Sequence, residues 1–543
     1  MVNQLIEPYG GILVDLIDPE KSDALKQEAF DLPSLDLDWQ QQCMLEMLMT
    51  GAYSPLTGFM TQSQCARVEA DQQLDDGTFW PLPIALSSRQ KVAAELKCGD
   101  RVALRDGEGY MLAVLTVSDA WEEGGIRKLG GSIEGVALPP HPDFSSLRAT
   151  PAELRALFLR RGWHRVVAWQ ARQPMHRAQF EFCLKSAIEN EANLLLHPQA
   201  GGDITDAPAY FGLVRSFIAI RERFPAASTQ LSILPAPPRE ASVHALLLRA
   251  IVARNYGCGL LIAGGEHQLE GSCRRGEDLA QTHTDLPVVE LAAKVGVQLI
   301  AYPRMVYVDD RAEHLPESEA PTGARLLTLS GEEFKRRMRA GLKIPDWYSF
   351  PEVLAELQRQ SPPREQQGFT VFFTGLSGAG KSTLARALAA RLMEVGGRCV
   401  TLLDGDIVRR HLSSELGFSK AHRDVNVRRI GFVASEITKN RGIAICAPIA
   451  PYHQTRRDVR AMIEAVGGFV EIHVATPIAT CESRDRKGLY AKARAGLIPE
   501  FTGVSDPYEI PENPELAIDT TGRNIDEAVQ QILLKLEHEG YLR

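Results

Sequence analysis

The segment Gly375 to Ser382 reads GLSGAGKS and fits the spacing G-x-x-x-x-G-K-[ST], between a β-type run, Phe369 to Thr374, and a helix beginning near Lys381. Gly375, Gly378 and Gly380 let the backbone curl, so that successive N–H groups and the helix N-terminus converge on phosphate oxygens. Ser377, Ala379 and Thr383 fall in the same cup, Lys381 is placed to reach β and γ phosphates, and Ser382 is placed to hold magnesium. Strand, spacing, Lys and Ser together outweigh the bland alternative of a glycine-rich turn with no ligand.

About twenty residues on, a strand over 399–403 runs into Asp404-Gly405-Asp406, which sets two carboxylates at the C-terminal edge of a parallel sheet, where such folds bind ligands. One carboxylate suits magnesium or its water, and the other suits the proton of an attacking hydroxyl. Asp406 also reads as a helix N-cap, a role that does not exclude catalysis. Arg409, Arg410, Arg423, Arg428, Arg429, Arg456, Arg457 and Arg460 then cluster. Paired donors of this kind hold phosphate or sulfate, so the set suggests an anionic acceptor, although each arginine alone is as readily a solvated helix face.

The elements that must position these groups are α/β throughout the later chain. Strands over 369–374, 399–403, 443–446 and 469–474 alternate with helices, as βα units do. The same alternation precedes them, with strands over 166–169, 194–197, 260–263 and 298–302 and a helix over 241–255. Before these lies a mostly β block of short alternating runs and glycine turns. Breaks at 138–145 (LPPHPDFS) and 358–368 (QRQSPPREQQG) divide the chain. The expected domains are 1–145, 146–357 and 369–543, with 358–368 as linker.

A chain of 543 residues suits about three domains at roughly 100 to 200 residues each. Hydrophobic residues at 44% and charged residues at 24% exclude wholesale disorder, collagen and coiled coil. Sixty Lys and Arg against 69 Asp and Glu leave a net charge of -9, which argues against nucleic acid as a partner. No apolar run is long enough to span a bilayer, and the start lacks a secretory pattern, so no membrane partner and a cytoplasmic location are expected. Nine cysteines, none in a CxxC pair, fit a reducing compartment.

The segments DGDIVR (404–409), LGFSKAHRDVN (416–426), KGLYAKARAG (487–496) and FTGVSDPYEIP (501–511) closely resemble adenylylsulfate kinases. These move the γ-phosphate of ATP to the 3′-hydroxyl of adenylylsulfate (APS), giving PAPS and ADP. The resemblance covers nearly all of 368–543 and implies a P-loop α/β domain, magnesium with ATP as cofactor, and Asp406, Asp404 and Lys381 as catalytic residues. It implies APS contacts from Arg409, Phe418, Arg423, Asn426, Ile449, Lys487, Leu489 and Phe501, with Phe418 and Phe501 clamping the adenine. Residues 487–502 resemble a lid over both nucleotides. Where the family usually has I-S-P-Y and then arginine, this chain has Ile449-Ala450-Pro451-Tyr452-His453, a change expected to spare activity.

Residues 1 to about 355 resemble ATP sulfurylase, on segments such as SPLTGF (54–59), LHP (196–198), RNYGC (254–258) and IPDW (344–347). The resemblance implies a PUA-like β domain followed by a nucleotidyltransferase, Rossmann-like α/β domain. Gln170, Arg172, His176, Arg239 and His267 match sulfate and ATP positions. The family's Q-x-R-N-x-x-H-x-x-H, however, reads QARQPMHRAQ over 170–179, so its second histidine is Gln179, which brings a hydrogen bond without charge. The usual G-R-D-H-A-G reads GGEHQL over 264–269, and a lysine-bearing stretch is replaced at 200–203 (AGGD). For His176 alone, a satisfied buried histidine is as good a reading as a catalytic one.

Three readings follow. The first is an APS kinase fused to a weak or inactive sulfurylase-like region. The second is a bifunctional PAPS synthase, with sulfate and pyrophosphate joining ATP and APS among its small-molecule partners. The third makes the N-terminal region a non-catalytic nucleotide sensor or assembly platform. The resemblance also implies a homo-oligomer.

Overall fold

The computed structural model describes residues 4–199, 207–240, 242–264, 288–485 and 488–542. The chain divides into two compact units, one of Met1–Arg336 with Lys343–Gln360 and one of Arg337–Leu342 with Ser361–Arg543. The helix Pro351–Gln360 closes the first unit, and a short 3-10 turn, Arg364–Gln366, precedes the first strand of the second.

In the first unit, β1 (Ser34–Asp36), β2 (Gly58–Phe59), β3 (Leu86–Ser88), β4 (Arg101–Arg105), β5 (Met111–Glu123) and β6 (Ile126–Gly135) form a mixed sheet in the order β1-β4-β5-β6-β2, with β3 beside β6. Alternation along β4 to β6 buries Val102, Leu104, Leu115 and Leu129 on one core. The mostly β expectation needs one correction, because helices Pro19–Glu28, Trp39–Met49 and Gln62–Asp71 accompany this sheet. The last two begin in capping boxes, Asp38 with Gln41 and Thr61 with Gln64, a local signal that alternation along strands does not carry.

A parallel sheet follows, β7 (Val166–Trp169), β8 (Asn193–Leu196), β9 (Thr229–Leu231), β10 (Leu260–Ala263) and β11 (Gln298–Ala301), ordered β11-β10-β7-β8-β9. β7 and β10 are buried along their whole length, as strands covered on both faces must be. The helix expected over 241–255 runs Val243–Asn255, because the Ser242 side chain accepts from the Ala245 N–H and caps it there. Three short antiparallel strands complete the unit's sheets: β12 (Met305–Val308), β13 (Glu313–Pro316) and β14 (Leu326–Leu327).

The second unit is one parallel sheet of β15 (Phe369–Thr374), β16 (Val400–Asp404), β17 (Ile443–Ala447), β18 (Gly468–Val474) and β19 (Leu516–Ile518), ordered β16-β17-β15-β18-β19. Every residue of β15, β17 and β18 is buried. β15 sits in the middle and pairs with both β17 and β18, so the turn leaving it opens at the centre of the C-terminal edge. Among the described residues no helix is long and apolar enough to cross a membrane.

Candidate functional site

The turn after β15 needs glycine. Gly378 and Gly380 have φ of 75° and 104°, and a Cβ on Gly378 would lie 2.9 Å from the Cys481 carbonyl oxygen. Gly380 forms the N-cap of the helix Lys381–Val395. The Ala379 carbonyl is held from outside the cup by Thr476 Oγ1 at 3.0 Å and Thr520 Oγ1 at 2.9 Å, and Ala379 itself is fully buried. The Ser377 carbonyl accepts from the Tyr490 hydroxyl at 2.9 Å. Lys381 is buried with its Nζ folded onto the loop, donating to the carbonyls of Gly375 at 2.9 Å and Leu376 at 2.7 Å. Ser382 is half-buried and Thr383 exposed in the next turn of helix.

Asp404 closes β16, beside Ala447 of β17, and is buried with one carboxylate oxygen 3.4 Å from Arg386 Nη2. Asp406 lies in the helix Gly405–Leu412, and its side chain is outside the described atoms, as are Lys487 and His267 entirely. Asp404 and Asp406 thus stand at the C-terminal end of β16, the edge at which the phosphate cup opens.

The acceptor-side residues come from three segments. Arg409 Nη1 donates to the carbonyls of Leu416 and Gly417, both at 3.0 Å, and its guanidinium stacks 4.2 Å from the ring of Phe418. The Gly417 N–H donates to His422 Nδ1 at 2.8 Å, and Ser419 caps the helix Lys420–Lys439. These bonds fix a short turn that presents Phe418, 63% exposed. Arg423 donates through Nη1 to Thr502 Oγ1 at 2.8 Å and to Asp506 Oδ2 at 2.5 Å. Tyr452 donates to the same carboxylate oxygen at 2.6 Å; burial first, and this bond next, push its hydroxyl pKa up to about 12. Asn426 is 7% exposed and its Oδ1 meets no protein donor among the described residues, a state that points to a ligand or water. Phe501 packs edge-on against Tyr490, with ring centroids 5.1 Å apart, and Leu489 opens the helix Leu489–Arg494.

Ile449 and Ala450 line the turn after β17. Ala450 has φ of 46°, a left-handed conformation, and its carbonyl is gripped by Arg456 Nη1 at 2.7 Å and Thr374 Oγ1 at 3.1 Å. The Thr374 hydroxyl also donates to the Ile449 carbonyl at 2.8 Å. The backbone conformation is thus held by its neighbours, with no side-chain oxygen at position 450 taking part.

The arginine set does not converge as a group. Arg456 is buried against Glu471 at 3.1 Å, and Arg460 joins Glu471 and Glu515 at 3.1 and 2.8 Å. Arg428 pairs with Asp458, Arg429 with Glu415 and Arg457 with Glu512. Of the eight, Arg409 and Arg423 stand with the acceptor-side residues, Arg456 and Arg460 are tied into the fold by buried or half-buried carboxylates, and Arg428, Arg429 and Arg457 pair at the surface. A cleft of about 640 Å³ also opens beside the cup, lined by Leu376, Val474, Thr476, Ile478, Asp506 and Tyr508 among others; none of the sequence-chosen site residues lines it.

In the first unit, Gln170 is buried, its Oε1 accepting from Arg249 Nε at 3.1 Å. Arg172 gives Nε to Gln199 Oε1 at 2.8 Å and Nη1 to the Arg239 carbonyl at 2.7 Å. These residues, with Tyr53 and Arg239, line a space of about 30 Å³. His176 is buried, its Nδ1 shares a 2.8 Å hydrogen bond with Ser349 Oγ, and its ring packs against Phe334 and Tyr348. Burial pushes its pKa down to about 4, so it is neutral at ordinary pH. Gln179 accepts from the His176 backbone N–H at 3.1 Å and so caps the helix Arg177–Glu189. The altered stretches at 200–203 and 265–269 lie outside the described residues.

Sequence reasoning missed Asp506, Tyr452 and Thr502 as members of the acceptor-side cluster. The advance signals were that Thr502 and Asp506 lie within FTGVSDPYEIP and Tyr452 within the Ile449 to His453 stretch, with nothing in the spacing to tie any of them to Arg423.

Fold and site together define a multidomain α/β protein with a phosphate-binding kinase domain at its C-terminal end. Family models match for a PUA-like domain over residues 6–131, ATP-sulfurylase over 145–360 and adenylylsulphate kinase over 367–519. A sulfate adenylyltransferase of Emericella nidulans is 41% identical, the match covering 98% of this chain and 99% of that protein, and one of Neurospora crassa is 39% identical over the same shares. A solved structure described as a hexameric APS kinase from Thiobacillus denitrificans is 76% identical, with a TM-score of 0.88 and 99% of each chain covered. The chain belongs to the sulfate adenylyltransferase family, in the form that joins ATP-sulfurylase and adenylylsulfate kinase domains in one polypeptide.

Proposed function

We propose that the chain is an APS kinase, transferring the γ-phosphate of ATP to the 3′-hydroxyl of APS to give PAPS and ADP, with a sulfurylase region that is weak or inactive. What carries the kinase reading is the meeting, at one sheet edge, of a complete phosphate cup and an acceptor cluster holding a buried amide oxygen without a protein donor. On ATP binding, Lys381 would exchange the Gly375 and Leu376 carbonyls for phosphate oxygens. Asp406 is assigned as the base for the 3′-hydroxyl. Asp404, buried at the end of β16, helps order the donor. The Ser382 hydroxyl and the Asp404 carboxylate are hard oxygen donors that suit magnesium, which when bound would neutralise charge on the β and γ phosphates. Arg423, Asn426 and the faces of Phe418 and Phe501 hold APS, and Lys487 and Leu489 close over it.

The weak-sulfurylase reading rests on His176. An imidazole bonded to Ser349 inside an aromatic cage, neutral down to about pH 4, brings no positive charge to a departing pyrophosphate. A bifunctional PAPS synthase is favoured by one different observation, the full-length similarity to proteins named sulfate adenylyltransferase. The test supplies purified protein with APS and pyrophosphate and follows ATP by a light-emitting reporter. ATP formation that is lost on Arg172→Ala establishes the bifunctional reading. No ATP, from a sample that phosphorylates APS with ATP and magnesium, establishes the kinase with a retired sulfurylase. Failure of that same sample to phosphorylate APS refutes the kinase reading.

A further inference from the structure

The residue that organises the acceptor cluster is one that no motif singled out. Asp506 Oδ2 receives Arg423 Nη1 at 2.5 Å and the Tyr452 hydroxyl at 2.6 Å, joining a turn after the lid to the helix Lys420–Lys439 and to the turn after β17. Arg423 also donates to Thr502 at 2.8 Å, so both ends of the Phe501–Asp506 turn are tied to one guanidinium. The turn is stiff in itself. The Phe501 carbonyl accepts from the backbone N–H groups of Val504, Ser505 and Asp506 at 3.0 to 3.1 Å, and the Phe501 N–H donates to Ser505 Oγ at 2.8 Å. Fixing Asp506 therefore fixes Phe501.

The geometry of Arg423 gives this arrangement its purpose. All its contacts with described residues are made by Nη1, so the Nε and Nη2 edge of the fork stays available for an anion. An arginine on a flexible stem gains little from such an edge unless something holds the plane, and a bonded carboxylate does so at the opposite side. Arg423 is 11% exposed and Asp506 18% exposed at the side chain, so water screens the pair only in part.

We propose that Asp506 is a positioning residue for the acceptor nucleotide: its carboxylate presets the Arg423 guanidinium and the Phe501 ring before the nucleotide arrives. The inference rests on APS being the acceptor, as proposed above. Asp506 touches no reacting atom, and its effect passes through Arg423 and the Phe501 turn.

The test compares steady-state kinetics of full-length wild type, Asp506→Asn, Arg423→Ala and the double variant, varying APS and ATP separately. Loss of a charge-assisted bond raises the KM for APS on the order of ten-fold in Asp506→Asn, with the KM for ATP unchanged. The rise in the APS KM of the double variant falls well short of the product of the two single rises, because most of the carboxylate's effect passes through that arginine. An APS KM that is unchanged or lowered, an ATP KM that rises in step, or effects that simply add would each overturn the proposal. Tyr452→Phe removes one donor from the same carboxylate without changing charge or core volume, and serves if Asp506→Asn does not fold. Its APS KM rises by about three-fold, in line with the loss of one ordinary hydrogen bond, and no rise refutes the assignment. A wild type that does not phosphorylate APS would instead sink the kinase reading on which this rests.

Discussion

His176 makes a prediction that reads its burial directly. The imidazole is neutral in the fold, with a pKa pushed down to about 4 by desolvation, against 6.5 when exposed. Below pH 6.5 the unfolded chain takes up a proton that the fold refuses, so stability present above that pH is lost as pH falls towards 4, and no more is lost below it. At pH 5 the exposed imidazole is almost fully protonated and the buried one about a tenth so. Relative to pH 8 that difference removes about 2 kcal/mol, a factor of roughly 30 in the opening equilibrium. Hydrogen exchange of the helix Arg177–Glu189, followed by mass spectrometry at pH 8 and pH 5 and corrected for intrinsic rates, measures that factor locally. His176→Gln has no proton to refuse, so its protection changes about 30-fold less between the two pH values. Buried His197 contributes in the same direction in both proteins, and so cancels in the comparison. Equal loss of protection in wild type and variant would mean that His176 already titrates in the fold, and the argument against its catalytic charge would fall with it.

Arg456→Ala removes one of the two arginines paired with Glu471, which is 7% exposed and keeps Arg460, and loosens the Ala450 carbonyl; unfolding of the kinase unit should be easier by about 1 to 3 kcal/mol, measured by urea denaturation. Phe418→Ala removes a ring that is 63% exposed, so stability should hold while the KM for APS rises by the one to two orders of magnitude of a lost stacking face, about 1 to 3 kcal/mol; an unchanged KM removes Phe418 from the adenine clamp. Lys381→Ala should abolish most kinase turnover while leaving Tm near wild type, because its bonds to the Gly375 and Leu376 carbonyls are ones that the open cup can leave to water.

Much of the kinase domain was legible because its signals are local. The P-loop glycines, Lys381 and Ser382 follow one another, and the conformations they need are set by neighbours in sequence. β15 to β18 announced themselves as short runs rich in apolar and β-branched residues, with Glu471 and His473 as the polar interruptions of β18. What was not legible depends on partners far along the chain. Arg460 looked like an anion ligand until Glu515, 55 residues away, closed on it, and Arg423 and Asp506 are 83 residues apart. No spacing rule in one sequence identifies such pairs. His176 was balanced between two readings, and the contacts that favour the buried, satisfied one come from Phe334, Tyr348 and Ser349, more than 150 residues on. The segment expected as linker over 358–368 holds the end of one helix and a 3-10 turn, because prolines and glutamines mark a break in periodicity without excluding short helical pieces.

The central place of β15 in its sheet bears on how this domain can change over evolutionary time. Asp404 and Ile449 leave β16 and β17 on one side of the phosphate cup, and Thr476 and Thr520 brace it from β18 and β19 on the other. The turn carrying Phe501 and Asp506 lies between β18 and β19 in the chain and bonds to Arg423 from the helix between β16 and β17, so the acceptor-side cluster draws on both flanks of the middle strand. A change of acceptor therefore calls for matched changes on two separate stretches of chain while the middle strand and its cup stay fixed, which slows drift on the acceptor side and makes redesign there a problem of paired substitutions.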